Sequence, residues 1–265
     1  MTDPRETPDP RSVTMHRSAT VIQPVADLMR GPSGPRDRQL LYGDAITVLG
    51  QTNGYCLVRA EKDGYCGTLS QEAIGAAYNS THKVSVRQTH VYEAADIKSP
   101  DLAHLSHGSS IKALGQTDKF VQSQLGFIPI RHLVPNDHFE VDPAAVAGLF
   151  LGTPYLWGGN SHLGIDCSGL IQAALLACNH PCPGDSDQQA EALGETLASP
   201  DMLRRNDLVF WKGHVALVCD DKTLIHANAA HMAVSLEKTA SAIARIEAQG
   251  DGSPVAFKRL SFFDP

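Results

Sequence analysis

The 265-residue chain has no stretch approaching the roughly 18 consecutive apolar residues that a membrane-spanning helix needs. Residues 1–17, MTDPRETPDPRSVTMHR, carry three prolines, several charges and no apolar run of seven or more, so they read as a disordered segment and not as a signal peptide. A chain with neither device is expected in the cytoplasm. There is no basic block, and the net charge is −7, which argues against nucleic acid or an anionic membrane as partner. Paired metal ligands are also missing. Cys178-Asn-His180-Pro-Cys182 puts two thiols and an imidazole close together, but no second pair completes a zinc set, so no metal or cofactor is expected. Cys178 reads as the end of a helix, with His180 and two prolines in the loop after it. The six cysteines do not imply a disulfide framework, because a chain of this length buries a core without staples. Pairing of Cys178 with Cys182 and the oligomeric state stay open.

What is present centres on residues 155–170, YLWGGNSHLGIDCSGL, where glycine-rich chain runs into the apolar segment LIQAALLA. Cys167 stands at that junction. A helix start offers unpaired N–H groups and a positive dipole end, both favouring thiolate over thiol, so a depressed pKa is expected for Cys167. Such a nucleophile also needs a base. His214 in GHVALVC and His226 in TLIHANA lie in apolar, strand-like runs, and a helix-borne cysteine facing strand-borne histidines is the logic of a Cys-His pair with a third group orienting the imidazole. Asp166, just before the nucleophile, suits both a helix cap and a substrate contact.

Segment 153–169, TPYLWGGNSHLGIDCSG, followed by DSDQQ, NDLVFW, HVALV and LIHA, resembles the NlpC/P60 family of cysteine peptidases over roughly the last 120 residues. The resemblance implies a papain-like α+β catalytic domain with Cys167 as nucleophile, His214 as general base and His226 as the group orienting His214. It further implies that Tyr155 helps polarise the scissile carbonyl beside the Cys167 N–H, and that Trp157, Asp166, Ser168 and Ser186 contact a bound peptide. One departure is Asn206 where the family has glycine before Asp-Leu; asparagine tolerates positive φ, so the turn should survive.

Between residues 18 and 135 short β-like runs recur every 8 to 12 residues. Two stretches, each carrying L-G-Q-T at the end of a strand, align as an internal repeat. Both resemble bacterial SH3-like (SH3b) barrels, the first through Y-G-D and D-G-Y-x-G. The expected organisation is a disordered 1–17, two small all-β SH3b barrels at 18–78 and 79–135, and the peptidase domain at 136–265.

This combination resembles cytoplasmic enzymes that recycle cell-wall (murein) fragments. It implies a cysteine endopeptidase cutting between γ-D-glutamate and a diamino acid in peptides with a free N-terminal L-Ala. Asp166 would pair with that ammonium, Ser168 and Ser186 would meet the glutamyl part, and Tyr65 of DGYCG would contribute from the first barrel. An amidase or acyltransferase of related papain-like fold, or a non-catalytic SH3b wall-peptide binder, are the alternatives. The sequence does not distinguish lysine from diaminopimelate in the substrate.

Overall fold

The computed structural model describes residues 3–260. The chain divides into two compact units, one ending at His138 and the other beginning at Phe139.

In the first unit, strands β1 (Arg17–Val21), β2 (Val25–Met29), β3 (Arg36–Leu41), β4 (Ala45–Thr52), β5 (Tyr55–Ala60), β6 (Cys66–Ser70) and β7 (Ile74–Ala76) form one antiparallel sheet ordered β3-β2-β6-β5-β4-β1-β7. Alternation selects the buried face: on β5, Cys56, Val58 and Ala60 point into a core shared with Leu28, Leu40, Ile46 and Leu69. The β4–β5 hairpin turns on Asn53 and Gly54, whose φ angles of 48° and 80° are the positive values that an Asn-Gly turn supplies.

The rest of this unit holds β8 (His82–Val84), β9 (Gln88–Tyr92), β10 (Asp101–Ser106), β11 (Ser110–Ile111), β12 (Gly115–Gln116), β13 (Phe120–Gln122), β14 (Phe127–Pro129) and β15 (Leu133–Pro135). They make a five-stranded sheet, β10-β9-β14-β13-β12, and a three-stranded sheet, β11-β8-β15, around a core of their own. Both L-G-Q-T stretches lead into an antiparallel hairpin, β4–β5 and β12–β13, although the second strand is only two residues long. No closed barrel is found among the described residues, so the sheets by themselves do not establish the two expected SH3b barrels.

The N-terminal segment also departs from expectation. Residues 3–17 are ordered against the first sheet: the Thr14 and Met15 N–H groups donate to Leu49 O, and the Cys66 N–H donates to Arg5 O. Backbone pairing to a sheet that would otherwise leave those groups unmet offsets the poor apolar content on which the disorder expectation rested.

In the second unit, β16 (Asn160–Ser161) and β17 (Gly164–Ile165) form a small hairpin. A six-stranded antiparallel sheet has β18 (Glu195–Thr196), β19 (Leu208–Trp211), β20 (His214–Val218), β21 (Thr223–Asn228), β22 (Ala233–Lys238) and β23 (Ala256–Arg259) in the order β18-β23-β19-β20-β21-β22. Helices α1 (Pro143–Gly148) and α2 (Cys167–Ala177) cover one face, and α4 (Thr239–Ala248) covers the other; α3 (Ser186–Ala192) joins α2. On β20, Val215 and Leu217 enter the core with α2, whereas Ala216 and Val218 enter the core with α4. Burial on both faces is why LVFW and HVALV read as unbroken apolar runs.

Candidate active site

Cys167 is the first residue of α2, and Asp166 is its cap. Asp166 Oδ1 accepts the Gly169 N–H at 2.7 Å and the Ser168 hydroxyl at 3.1 Å, while Oδ2 accepts the Gly158 N–H at 2.9 Å. One carboxylate therefore ties the Gly-Gly turn to the helix that carries the thiol. Gly158 has φ +69°, and a Cβ on Gly159 would lie 2.5 Å from Gly164 O, so side chains are disfavoured at both positions. From α3, the buried Gln189 donates its amide to Ser168 O at 3.0 Å and Pro183 O at 2.9 Å, holding the start of α2 from behind.

The thiol is not the pre-ionised group that a helix start leads one to expect. Burial, reinforced by the negative charge of Asp166, pushes the Cys167 pKa up to about 12. Backbone N–H groups of Val215, Ser168 and Cys167 itself pull the other way, more weakly. Desolvation wins because Cys167 is only 6% exposed. The hydrogen bond from Val215 also shows that the chain next to His214 lies against the sulfur.

His214 begins β20, and its Nε2 lies 3.0 Å from Nδ1 of His226, which is fully buried on β21. His226 Nε2 lies 3.2 Å from Glu237 Oε2 on β22, and Arg245 on α4 grips both Glu237 oxygens at 3.0 and 2.8 Å. The Arg245 guanidinium, by hydrogen bond and charge, lowers the Glu237 pKa, so its carboxylate only accepts. That fixes the protons along the chain: His226 donates from Nε2 to Glu237, its Nδ1 accepts from His214 Nε2–H, and His214 is left with a lone pair on Nδ1. Burial takes the His214 pKa down to about 3 and that of His226 to about 4, so both rings are neutral. The arrangement offers a neutral imidazole, with its Nδ1 lone pair unclaimed by His226, one residue before the Val215 N–H that is directed at the neutral Cys167 thiol.

Tyr155 is half-buried. Its N–H donates to Met232 O at 2.9 Å, and it bridges to Ile165. Burial first, then the charges of Cys167 and Asp166, raise its pKa, so the phenol keeps its proton and can donate. Trp157 is 68% exposed, which leaves its ring at the surface and not in the core. Ser186 is the first residue of α3, partly exposed. Tyr65 belongs to the first unit, where its ring packs in the core of the seven-stranded sheet with the Arg38 guanidinium 5.0 Å from its centre. Asn206 takes the positive φ expected of it, +72°, and adds an acceptor for the Ala144 N–H at 3.0 Å. Asp207 beside it is buried in a bidentate pair with Arg259 at 2.8 and 3.1 Å. All six cysteines are free, and Cys178 caps α2.

Glu237, Arg245 and Gln189 were not singled out from the sequence. The β21–β22 register pairs His226 with Ser235 and Leu224 with Glu237, which puts Glu237 diagonally beside His226 on the same face; only strand pairing reveals this. Ligand atoms of His226, His231 and Glu237 lie within 4.8 Å of one another and could hold a metal ion, but the Arg245 cation bonded to Glu237 opposes one there.

The sequence profile of the NlpC/P60 family matches residues 152–247, the stretch that carries Tyr155, Asp166, Cys167, Gln189, His214, His226, Glu237 and Arg245. The chain belongs to the NlpC/P60 family of cysteine peptidases. Ahead of its NlpC/P60 domain, residues 28–74 match a bacterial dipeptidyl-peptidase SH3 domain. The chain is 26% identical to dipeptidyl-peptidase 6 of Lysinibacillus sphaericus over 238 residues, 80% of this chain and 88% of that one. It is 36% identical to the γ-D-glutamyl-L-lysine dipeptidyl-peptidase of Bacillus subtilis over 94 residues, which covers 32% of this chain and 31% of the other. In fold it is similar to an NlpC/P60 family protein from Bacillus cereus, with a TM-score of 0.76, 18% identity, and 91% and 99% of the two chains covered.

Proposed function

We propose that this protein hydrolyses the bond between the γ-carboxyl of D-glutamate and a diamino acid in peptides derived from peptidoglycan, with Cys167 as nucleophile and His214 as base. The observation that carries the proposal is the hydrogen-bond chain Glu237–His226–His214, which leaves His214 Nδ1 as a lone pair on the strand whose backbone touches the Cys167 sulfur. The name of the Bacillus subtilis relative supports the bond chosen.

Because the thiol is protonated at rest, its proton passes to His214 Nδ1 as sulfur attacks the γ-carbonyl. We assign the oxyanion to the Cys167 N–H, which as the first residue of a helix has no partner within α2, and to the Tyr155 hydroxyl. His214 then gives the proton to the leaving amine, and water deprotonated by the same ring hydrolyses the thioester. His226 keeps His214 in the tautomer that this sequence needs. On the acyl side we assign Asp166 to the free ammonium of L-Ala, Ser168 and Ser186 to the glutamyl portion, and Trp157 to an exposed apolar wall. A second SH3b-like module in residues 79–135 and action in the cytoplasm on recycled murein fragments complete the proposal.

The test is mass spectrometry of L-Ala-γ-D-Glu-L-Lys and its meso-diaminopimelate counterpart after incubation with wild type and Cys167→Ala. Release of the free diamino acid and L-Ala-D-Glu by wild type alone is expected. No cleavage of either peptide, with an activated acyl ester still turned over by wild type and not by Cys167→Ala, would redirect the assignment to an amidase or acyltransferase; no Cys167-dependent turnover of either kind would leave a binding module.

A further inference from the structure

A cavity of about 180 Å³ opens beside the base, lined by Tyr155, His214, Lys212, Arg245, Gln249 and Asp251 among others. That is room for about six waters, the scale of one amino-acid residue and not of a long peptide. Lys212 lies in the β19–β20 turn two positions before His214, and Asp251 follows the end of α4; both are exposed. Neither forms an ion pair with the other or with any other described residue, whereas Arg245 is engaged by Glu237 and by Gln249 Oε1 at 3.0 Å. One cavity thus presents an uncommitted charge of each sign next to the group that handles the proton.

We infer that this cavity seats the diamino acid on the amine side of the scissile bond, with Lys212 taking its α-carboxylate and Asp251 its side-chain ammonium. The inference rests on the peptidase reading above, because it is the leaving amine that must lie within reach of His214 to be protonated. The residue bearing that amine therefore occupies the space onto which His214 opens, while the acyl portion lies toward Asp166 and Ser168. The α-carboxylate sits one carbon from the amine and stays near the turn that carries Lys212. The side-chain ammonium is four carbons further along and extends toward Asp251. A ligand with both charges satisfies both walls, whereas an apolar residue of equal length leaves Asp251 unmatched.

The experiment compares kcat/KM for L-Ala-γ-D-Glu-L-Lys, for the same peptide ending in L-norleucine, and for the L-Lys peptide with its carboxylate amidated. Wild type is expected to prefer the lysine acid. In Asp251→Asn the lysine-to-norleucine ratio should fall about fivefold, and in Lys212→Met the acid-to-amide ratio should fall by a similar factor, the range of a solvent-exposed ion pair. Ratios unchanged in both variants would overturn the assignment. A second measurement needs no turnover: free L-lysine and L-norleucine are titrated into Cys167→Ala protein while the His214 ring resonances are followed. Shifts with L-lysine that weaken in Cys167→Ala/Asp251→Asn support the seat even if wild type cleaves none of the peptides, an outcome that would count only against the acyl substrate. Absence of any shift with L-lysine would sink the seat itself.

Discussion

His226 Nε2 lies 3.2 Å from Glu237 Oε2, and that single contact determines which nitrogen of His214 can act as a base. The carboxylate only accepts, so it forces the proton of His226 onto Nε2 and the proton of His214 onto its own Nε2. Nitrogen-15 spectra of labelled histidine should show both rings as neutral Nε2–H tautomers. Glu237→Ala is expected to lose that pattern and to lower kcat about 10² to 10⁴-fold, the usual worth of a positioned base, with KM little changed. A His214 ring carrying its proton on Nδ1 in the wild type would refute the chain of donors.

The pH dependence follows from the same two rings. A base works while unprotonated, and burial lowers the His214 pKa to about 3, so the acid limb of kcat/KM should fall well below the ordinary histidine value near 6.5. Activity retained at pH 5 is expected; a midpoint near 6.5 would contradict the buried, neutral ring.

Stability has the opposite concern. In the unfolded chain His214 and His226 take up protons near pH 6.5, while the folded rings resist until about 3 and about 4. Between those values the unfolded state binds more protons, so stability falls as pH drops through that window, with a slope of at most about 1.4 kcal/mol per pH unit for each ring. Urea denaturation at pH 7, 6, 5 and 4 should give falling midpoints, and His226→Asn should flatten the trend.

Cys167 should not behave as a preformed thiolate. With its pKa pushed up to about 12, alkylation by iodoacetamide at pH 6.5 is expected to be slow, rising with pH through the alkaline range and depending on His214. A fast, pH-independent reaction from pH 5 to 8, abolished in His214→Ala, would mean a resting ion pair instead.

Asp166 caps α2, and substitution can separate that duty from the proposed contact with the substrate ammonium. Asp166→Ala removes the acceptor for the Gly169, Gly158 and Ser168 donors and should cost about 1 kcal/mol or more in chemical denaturation. Asp166→Asn keeps a good cap but not the charge, and is expected to preserve stability while narrowing the preference for free over N-acetylated L-Ala peptides. An unchanged preference in Asp166→Asn would free Asp166 of any role with the ammonium.

Local residue order was enough to place Cys167 at a helix start, His214 and His226 on strands, and Asn206 at a positive-φ turn, because each depends on spacing, capping chemistry or apolar runs within a few residues. The Asn53-Gly54 hairpin was open to the same kind of reading. The strand order of the β units was not, because which strands become neighbours depends on pairing between segments far apart in the chain. Nor was the order of residues 3–17, which comes from carbonyls and amides of a distant sheet.

The candidate site divides along the same line. Sequence alone supplied a cysteine and two histidines in a family's order as candidates for nucleophile, base and third group. Tertiary structure decided their protonation. A cysteine at a helix start carries a local argument for ionisation, yet desolvation by the surrounding core and the Asp166 charge outweigh the helix dipole and keep the thiol neutral. Glu237 and Arg245 come into play only when β22 pairs with β21 and α4 packs across the sheet, for a hydrogen bond across strands depends on register and faces that no local pattern encodes.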